Sequence, residues 1–309
     1  MIPKYSFVMP AYKAAFIREA IESILGQTYT DFELIIVDDA SPEGLDTIVA
    51  EYHDPRLTYY KNEKNIGGKD LVAQWNHSIE YANGEFLILA SDDDIYDIDY
   101  LSNIDILISS YPDIDVYRPL MRKINIGGKT TCQENSGISS LLTKSSFLEA
   151  FSYGRLFSGI PQYTFRISAI KSIGGFINYP MGWFSDDATV MELAIKGVAI
   201  CDKVLFSMRA SGQNLSTMHN SQSSIEMKTK ATIAYIRQVS DMDNEGTRFR
   251  LVRRAKDVEA NVLRDASFYC FIGTLRKLHS SLPGIFTLRW CLHLLFDYTF
   301  KSGIYAFSL

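Results

Sequence analysis

A chain of 309 residues can bury a substantial core as one large or two modest domains, and 47% apolar with 22% charged residues is the balance of a soluble globular protein. The net charge of −5, with no basic block, excludes the electrostatic footprint of a DNA- or RNA-binding protein. Cys132, Cys201, Cys270 and Cys291 have neither close pairing nor zinc spacing and read as reduced thiols. With no apolar leader ahead of the first strand, they point to a cytoplasmic protein.

Tyr5 to Met9 is a first strand, ended by Pro10-Ala11-Tyr12, and Ile17, Ile21, Ile24 and Leu25 then share one helical face. Glu33 to Val37 is a second buried strand and runs into Asp38-Asp39. Ser41-Pro42 reads as an N-cap with proline at the first helical position, opening a helix to about Tyr52. Leu57 to Lys61 is a third strand and Asn65 to Gly68 a loop. Leu71 to Tyr81 is helical, with Trp75 on its apolar side and Asn83-Gly84 as its stop. The stretch from Gly84 to Asp94 holds a fourth strand, opened by the glycine and closed by Asp92-Asp93-Asp94. Alternating strands and helices over the first hundred residues predict a doubly wound, mainly parallel α/β sheet.

Ile104 to Ser110 completes a helix stopped by Pro112, Val116 to Ile124 is a strand, and the polar stretch from Gly127 to Gly137 is a loop. Leu141 to Phe151 is helical, Tyr163 to Ile167 a short strand, and Ile170 to Gly175 a short helix. Asp186-Asp187 opens another helix ending at Gly197, and Val204 to Met208 is a last strand. From about Ser221 long helices follow, marked by Ile225, Ile233 and Ile236 and then by Phe249, Val252, Val262, Tyr269 and Ile272. The expected division is 1–219 for the sheet domain, with a nucleotide half of about 1–100 and an acceptor half of about 101–219, and 220–309 for a helical C-terminal extension.

An isolated acidic triplet is ordinarily a solvated turn. Here two strands end in aspartates at one edge of the sheet, and ligands of open α/β sheets bind outside the carboxyl ends of strands. Like charges at about 4 Å cost roughly 1 kcal/mol in water and several times that near a protein surface. A hard divalent cation relieves this by taking one or two carboxylates and completing its shell with substrate phosphates.

In this order, Val8-Met9-Pro10-Ala11-Tyr12, Val37-Asp38-Asp39-Ala40-Ser41, Asn65-Ile66-Gly67 leading to Asn76, Ala82-Asn83-Gly84-Glu85 before Asp92 to Asp94, Gly174-Gly175-Phe176, Asp186-Asp187 and Arg209 to Ser216 resemble the family 2 inverting glycosyltransferases. Those enzymes have the GT-A nucleotide-diphospho-sugar transferase fold, and the match covers roughly residues 5 to 216. The resemblance implies that Pro10, Ala11 and Tyr12 line the nucleotide pocket and that Asp39 contacts uracil. It implies Asp93 and Asp94 as ligands of Mn²⁺ or Mg²⁺, with Asp92 covering ribose or metal contacts. Ser91 stands where the family pattern has its first acid. Arg209, Asn214 and Ser216 match the terminal motif, in which Met208 and Ser211 replace a tyrosine and a histidine, and His219 follows close by. A fixed arginine suits a diphosphate because its planar fork pairs with oxygens bidentately. For Lys69, a phosphate or base contact and a solvated side chain both stay open.

Inverting transfer needs a carboxylate within reach of the attacking hydroxyl. The family places it as the final acid of a pair at a helix N-terminus, which assigns Asp187 as base, with Asp186 as the cap. Trp183 is placed to stack on a sugar. The implied donor is a UDP-sugar and the implied acceptor a glycan or lipid-linked glycan. Acceptor specificity is expected in Gly127 to Gly137, Tyr153 to Gln162 and the C-terminal helices. The aromatic stretch around Trp290, with Arg289 and Lys301, reads either as an interfacial helix at the inner face of a membrane or as a buried or homodimer-forming helix. The alternatives are a sugar nucleotidyltransferase, against which the absence of glycines after the first strand counts, and a non-catalytic relative that binds nucleotide-sugar or glycan.

Overall fold

The computed structural model describes residues 2–152, 154–212, 221–240 and 268–281. Its contacts divide the chain into two compact units, Met1–Asn178 with Ser185–Leu215, and Tyr179–Phe184 with Ser216–Leu309.

The first unit is built on a sheet with the order β3-β2-β1-β4-β9-β6-β10-β5. β1 (Tyr5–Ala11), β2 (Phe32–Asp38), β3 (Leu57–Lys61) and β4 (Phe86–Leu89) pair in parallel. β9 (Thr164–Arg166) is antiparallel to both β4 and β6 (Val116–Ile124), so β6 and its parallel partner β10 (Val198–Arg209) run the same way as β1. The remaining strands, β5 (Ile95–Tyr96), β7 (Thr130–Gln133) and β8 (Leu141–Leu142), pair antiparallel. The expected mainly parallel, GT-A-type α/β sheet is therefore present, and the carboxyl ends of β1, β2, β4, β6 and β10 share one edge.

Alternation along β1 sends Tyr5, Phe7, Met9 and Ala11 to one face. There they join Ile17, Ala20, Ile21 and Ile24 of α1 (Ile17–Leu25) and Tyr100, Leu101, Ile104 and Leu107 of α4 (Tyr100–Ser110) in one apolar cluster. α2 (Leu45–Val49), α3 (Leu71–Ser78), α5 (Lys144–Ser152), α6 (Ile167–Ser172) and α7 (Ser185–Leu193) complete the helices of this unit among the described residues.

Several local expectations are corrected. Ser41 caps no helix: its hydroxyl donates to the Tyr12 carbonyl (2.5 Å) and accepts from Glu43 N–H, and α2 starts only after Gly44, whose φ is +69°. The stretch from Gly127 to Gly137 is not all loop, because β7 pairs with β6 inside it; its four side chains are exposed, so no alternation marks it. Leu141 and Leu142 are a strand, and the helix opens at Lys144. Trp75 is half-buried, edge-on to Phe176, while Val72, Gln74 and Ser78 are the buried side chains of α3.

In the second unit, α8 (Gln222–Ser240) packs against the turn Pro180–Gly182 and against α9 (Phe268–Ser281). Phe184 stacks on Tyr235 with centroids 4.7 Å apart. Lys228 Nζ sits 4.7 Å over one face of the Trp183 ring. Asn214, Ser216, His219, the markers from Phe249 to Val262 and the Trp290 stretch lie outside the described residues, and nothing is described of the side chains of Tyr269 and Ile272. Among the described residues no helix is long and apolar enough to cross a membrane.

Candidate active site

Backbone bonds bring the strand ends together. Asp39 N–H donates to the Ala11 carbonyl (2.9 Å), continuing the β1–β2 ladder, and Ala90 N–H donates to Val8 (2.8 Å) from β4. Ala40 then takes a left-handed backbone, φ +53°, an uncommon conformation for a side chain with Cβ and one that clusters at functional sites. Pro10, Ala11 and Tyr12 stand at this edge, Ala11 buried and the Tyr12 ring 40% exposed above it.

The two aspartates after β2 have different duties. Asp38 is fully buried; it accepts from Ser41 N–H (2.7 Å) and from the Tyr59 hydroxyl (2.6 Å). Asp39 accepts from Asn62 Nδ2 (2.9 Å), Ile66 N–H (2.8 Å) and Gly67 N–H (2.7 Å). Its carboxylate thus fixes the loop that carries Lys69, which is exposed. A Cβ on Gly67 would approach Asp39 Oδ2 to 3.0 Å, which explains the glycine. Asn62 had no mark in the sequence, since an isolated asparagine in a polar stretch reads as a turn residue.

The acidic turn after β4 is held from both sides. Asp92 Oδ2 accepts from Tyr12 N–H (2.9 Å) and Lys13 N–H (2.8 Å), tying the turn to the end of β1. Asp94 accepts from Ser91 Oγ (2.5 Å) and from Arg209 N–H (2.8 Å), tying it to the end of β10. Between them Asp93 is 7% exposed, and among the described residues its carboxylate accepts no hydrogen bond. Burial raises the pKa of Asp92, against the two N–H donors. Asp94 is pushed up to about 7, first by burial and then by the charge of Asp93, with Ser91 and the Arg209 N–H pulling the other way.

Arg209 is 1% exposed. Its Nε donates to the Asp93 carbonyl (2.9 Å), Nη1 to the Ile126 carbonyl (3.2 Å) and Nη2 to Glu19 (2.6 Å), with Phe16 beneath the guanidinium at 4.2 Å. The partner Glu19, on α1, was invisible to sequence reasoning because 190 residues separate the pair.

Asp187 is buried in the first turn of α7, and its N–H donates to Asp186 Oδ1 (2.9 Å). Asp186 also lies in the first turn of α7, inside the helix rather than at the N-cap that precedes Ser185. Burial raises the pKa of the Tyr163 phenol, opposed by Arg118 and reinforced by Asp187 and Asp186, which places the acidic pair in the field of Tyr163. Two motifs a hundred residues apart also meet: Asn76 Oδ1 accepts from Phe176 N–H (2.7 Å) and its Nδ2 donates to the Phe176 carbonyl (3.0 Å).

Sequence reasoning missed Arg118 and Glu134. Both are fully buried and joined by a salt bridge, and Glu134 also accepts from the N–H groups of Met121 and Phe157.

A mainly parallel sheet with acidic turns and a strained backbone at the carboxyl edge defines a GT-A-like protein with its candidate site at that edge. The model of glycosyl transferase family 2 matches residues 6–154, so this part of the chain carries a domain of that family. The UDP-Glc:α-D-GlcNAc-diphosphoundecaprenol β-1,3-glucosyltransferase WfgD of Escherichia coli is 35% identical over 92 residues, 29% of this chain and 35% of that protein. The uncharacterized glycosyltransferase MJ1057 of Methanocaldococcus jannaschii is 29% identical over 193 residues, 55% of this chain and 66% of that one. The match spans 28% to 35% of the length of the first curated relatives. Among solved structures, TarS of S. aureus with UDP-GlcNAc superposes with a TM-score of 0.70 at 18% identity, covering 97% of this chain and 92% of that one.

Proposed function

We propose that this chain transfers a sugar from a UDP-sugar to a glycan or lipid-linked glycan acceptor by a single displacement that inverts the anomeric carbon. The observation that carries this reading is Asp93: a buried carboxylate that among the described residues accepts no hydrogen bond, between Asp92 and Asp94, which the protein's own donors hold in place. Buried carboxylates are normally paired or bound to a metal. Among the described residues no three His, Cys, Asp or Glu side chains form a protein-only metal site. One or two carboxylates completed by substrate phosphates is the usual Mg²⁺ arrangement, and Asp93 with Asp94 fits it. A bound Mn²⁺ or Mg²⁺ would neutralise the charge that develops on the departing diphosphate.

The chain's own groups do the rest. Pro10, Ala11 and Tyr12 line the nucleotide side, Asp39 holds the loop that offers Lys69 to base or phosphate, and Asp92 fixes the end of β1 against the ribose side. Arg209 serves the diphosphate end through the Asp93 carbonyl, since each of its guanidinium nitrogens is engaged within the protein. Asp187 takes the acceptor proton as the acceptor oxygen bonds the anomeric carbon and the bond from that carbon to the diphosphate oxygen breaks, releasing UDP. The donors named in WfgD and in the TarS complex, UDP-Glc and UDP-GlcNAc, support the choice of nucleotide.

UDP release from a panel of UDP-sugars with Mn²⁺ tests the reading. Wild type turns over at least one donor, and Asp187→Asn lowers the rate by about 10²- to 10⁴-fold with UDP affinity unchanged. UDP binding without turnover of any donor would make the chain a non-catalytic relative.

A further inference from the structure

The first unit contains a cavity of about 580 Å³ between residues 133–139 and α5, within the roughly 300–1,000 Å³ typical of small-ligand sites. The cavity is half open to solvent: Asn135, Ser136, Ser139 and Ser146 on its rim are exposed, and the half-buried Phe157 is its aromatic wall. Its charges are compensated: Glu134 is bound to Arg118, and Glu149 lies 3.8 Å from Arg155. A site of hydroxyls, carboxamide and one aromatic ring, without a lone charge, suits a neutral polyhydroxylated ligand. Two links run from the cavity to the catalytic edge. Lys123, near the carboxyl end of β6, lies 4.6 Å over the Phe157 ring. On the other side Arg118, which donates to the Phe157 carbonyl (2.8 Å), stands 5.8 Å over the ring of Tyr163, whose phenol feels Asp187.

We infer that this cavity seats one uncharged sugar residue of the acceptor glycan, with Phe157 against the ring and Asn135 and Ser136 bonding its hydroxyls. The inference rests on the transferase reading for the word acceptor, but the cavity and its ligand class do not depend on the donor site.

Saturation-transfer NMR on the full chain, with the methyl glycosides of glucose, galactose and N-acetylglucosamine as probes, tests it beside UDP titration calorimetry. At least one glycoside receives saturation in wild type, with or without UDP. Ser136→Trp, which fills the cavity, raises that glycoside's Kd at least about tenfold and leaves the UDP Kd within about twofold. Asn135→Ala weakens the same glycoside and serves should the tryptophan variant fail to bind UDP. No saturation of any probe in wild type, a signal that survives both substitutions, or a signal abolished by UDP overturns the inference. If glycoside binding is lost in Ser136→Trp while wild type binds no UDP, the donor reading fails and the cavity stands; UDP binding with no glycoside bound fails the cavity alone.

Discussion

Replacing Glu134 by alanine removes the ion-pair partner of a fully buried arginine in the sheet domain. The side chains of Arg118 and Glu134 are both fully inaccessible, and among the described residues the glutamate is the only anion that partners that guanidinium; the Pro119 and Phe157 carbonyls, at 3.0 and 2.8 Å, are neutral. Removing one partner of such a pair costs about 3–5 kcal/mol, because the other charge stays in a low-dielectric site. The Met121 and Phe157 N–H groups lose their acceptor in the same step, so the upper part of that range is expected. A domain has about 5–15 kcal/mol in total, so the loss is a large fraction. Urea titration followed by far-UV dichroism measures it. Because the chain forms two compact units, hydrogen exchange in peptides of β6 and β7 follows the affected unit directly. The double variant Arg118→Met/Glu134→Ala removes the stranded charge and is expected to be more stable than Glu134→Ala alone by at least about 1 kcal/mol. A single-variant loss below about 1 kcal/mol, or a double variant equal to the sum of its parts, would refute the argument.

Three further outcomes are expected. Asp94 has a folded pKa of about 7 against an unfolded value near 3.9, so the folded state keeps a proton that the unfolded chain releases; without divalent cation, stability therefore falls as pH rises from about 4 to 7, and Mn²⁺ raises Tm more at pH 7.5 than at pH 5. Asp93→Asn leaves the cation-free Tm unchanged or higher, because no hydrogen bond is lost, yet weakens Mn²⁺-dependent UDP binding by about tenfold or more in calorimetry. Gly175→Ala loses about 1–3 kcal/mol in urea titration: its φ is +103° and a Cβ would stand 2.5 Å from Asn76 Oδ1, breaking the paired bonds to Phe176.

The strands β1, β2 and β4 were legible because buried parallel strands are short apolar runs, and the aspartates that follow β2 and β4 pointed to the carboxyl edge of the sheet as the candidate site. What those acids bond was not legible. Asp39 read as a ligand contact, whereas its oxygens hold Asn62, Ile66 and Gly67. Arg209 read as a diphosphate fork, whereas it is closed around Glu19 and two carbonyls. Each partner is set by which strands become neighbours, and residue spacing does not encode that. Glu134 gave no signal at all, since a glutamate among Gln133, Asn135 and Ser136 looks solvated until the chain folds it under Phe157.

Ser91 is the departure from the family pattern that the geometry accounts for. An acid at that position would add a fourth carboxylate to a turn in which Asp93 and Asp92 already raise Asp94. The serine instead donates to Asp94 Oδ2 at 2.5 Å, while Arg209 N–H holds the other oxygen. Asp92 is fixed just as firmly to the end of β1 by two backbone donors. With both neighbours restrained by the protein, the turn presents Asp93 as the carboxylate that among the described residues accepts no hydrogen bond, with Asp94 fixed beside it. A cation brought in with the diphosphate would meet that carboxylate in a fixed place, because the strands on either side, β1 and β10, define where the turn can sit.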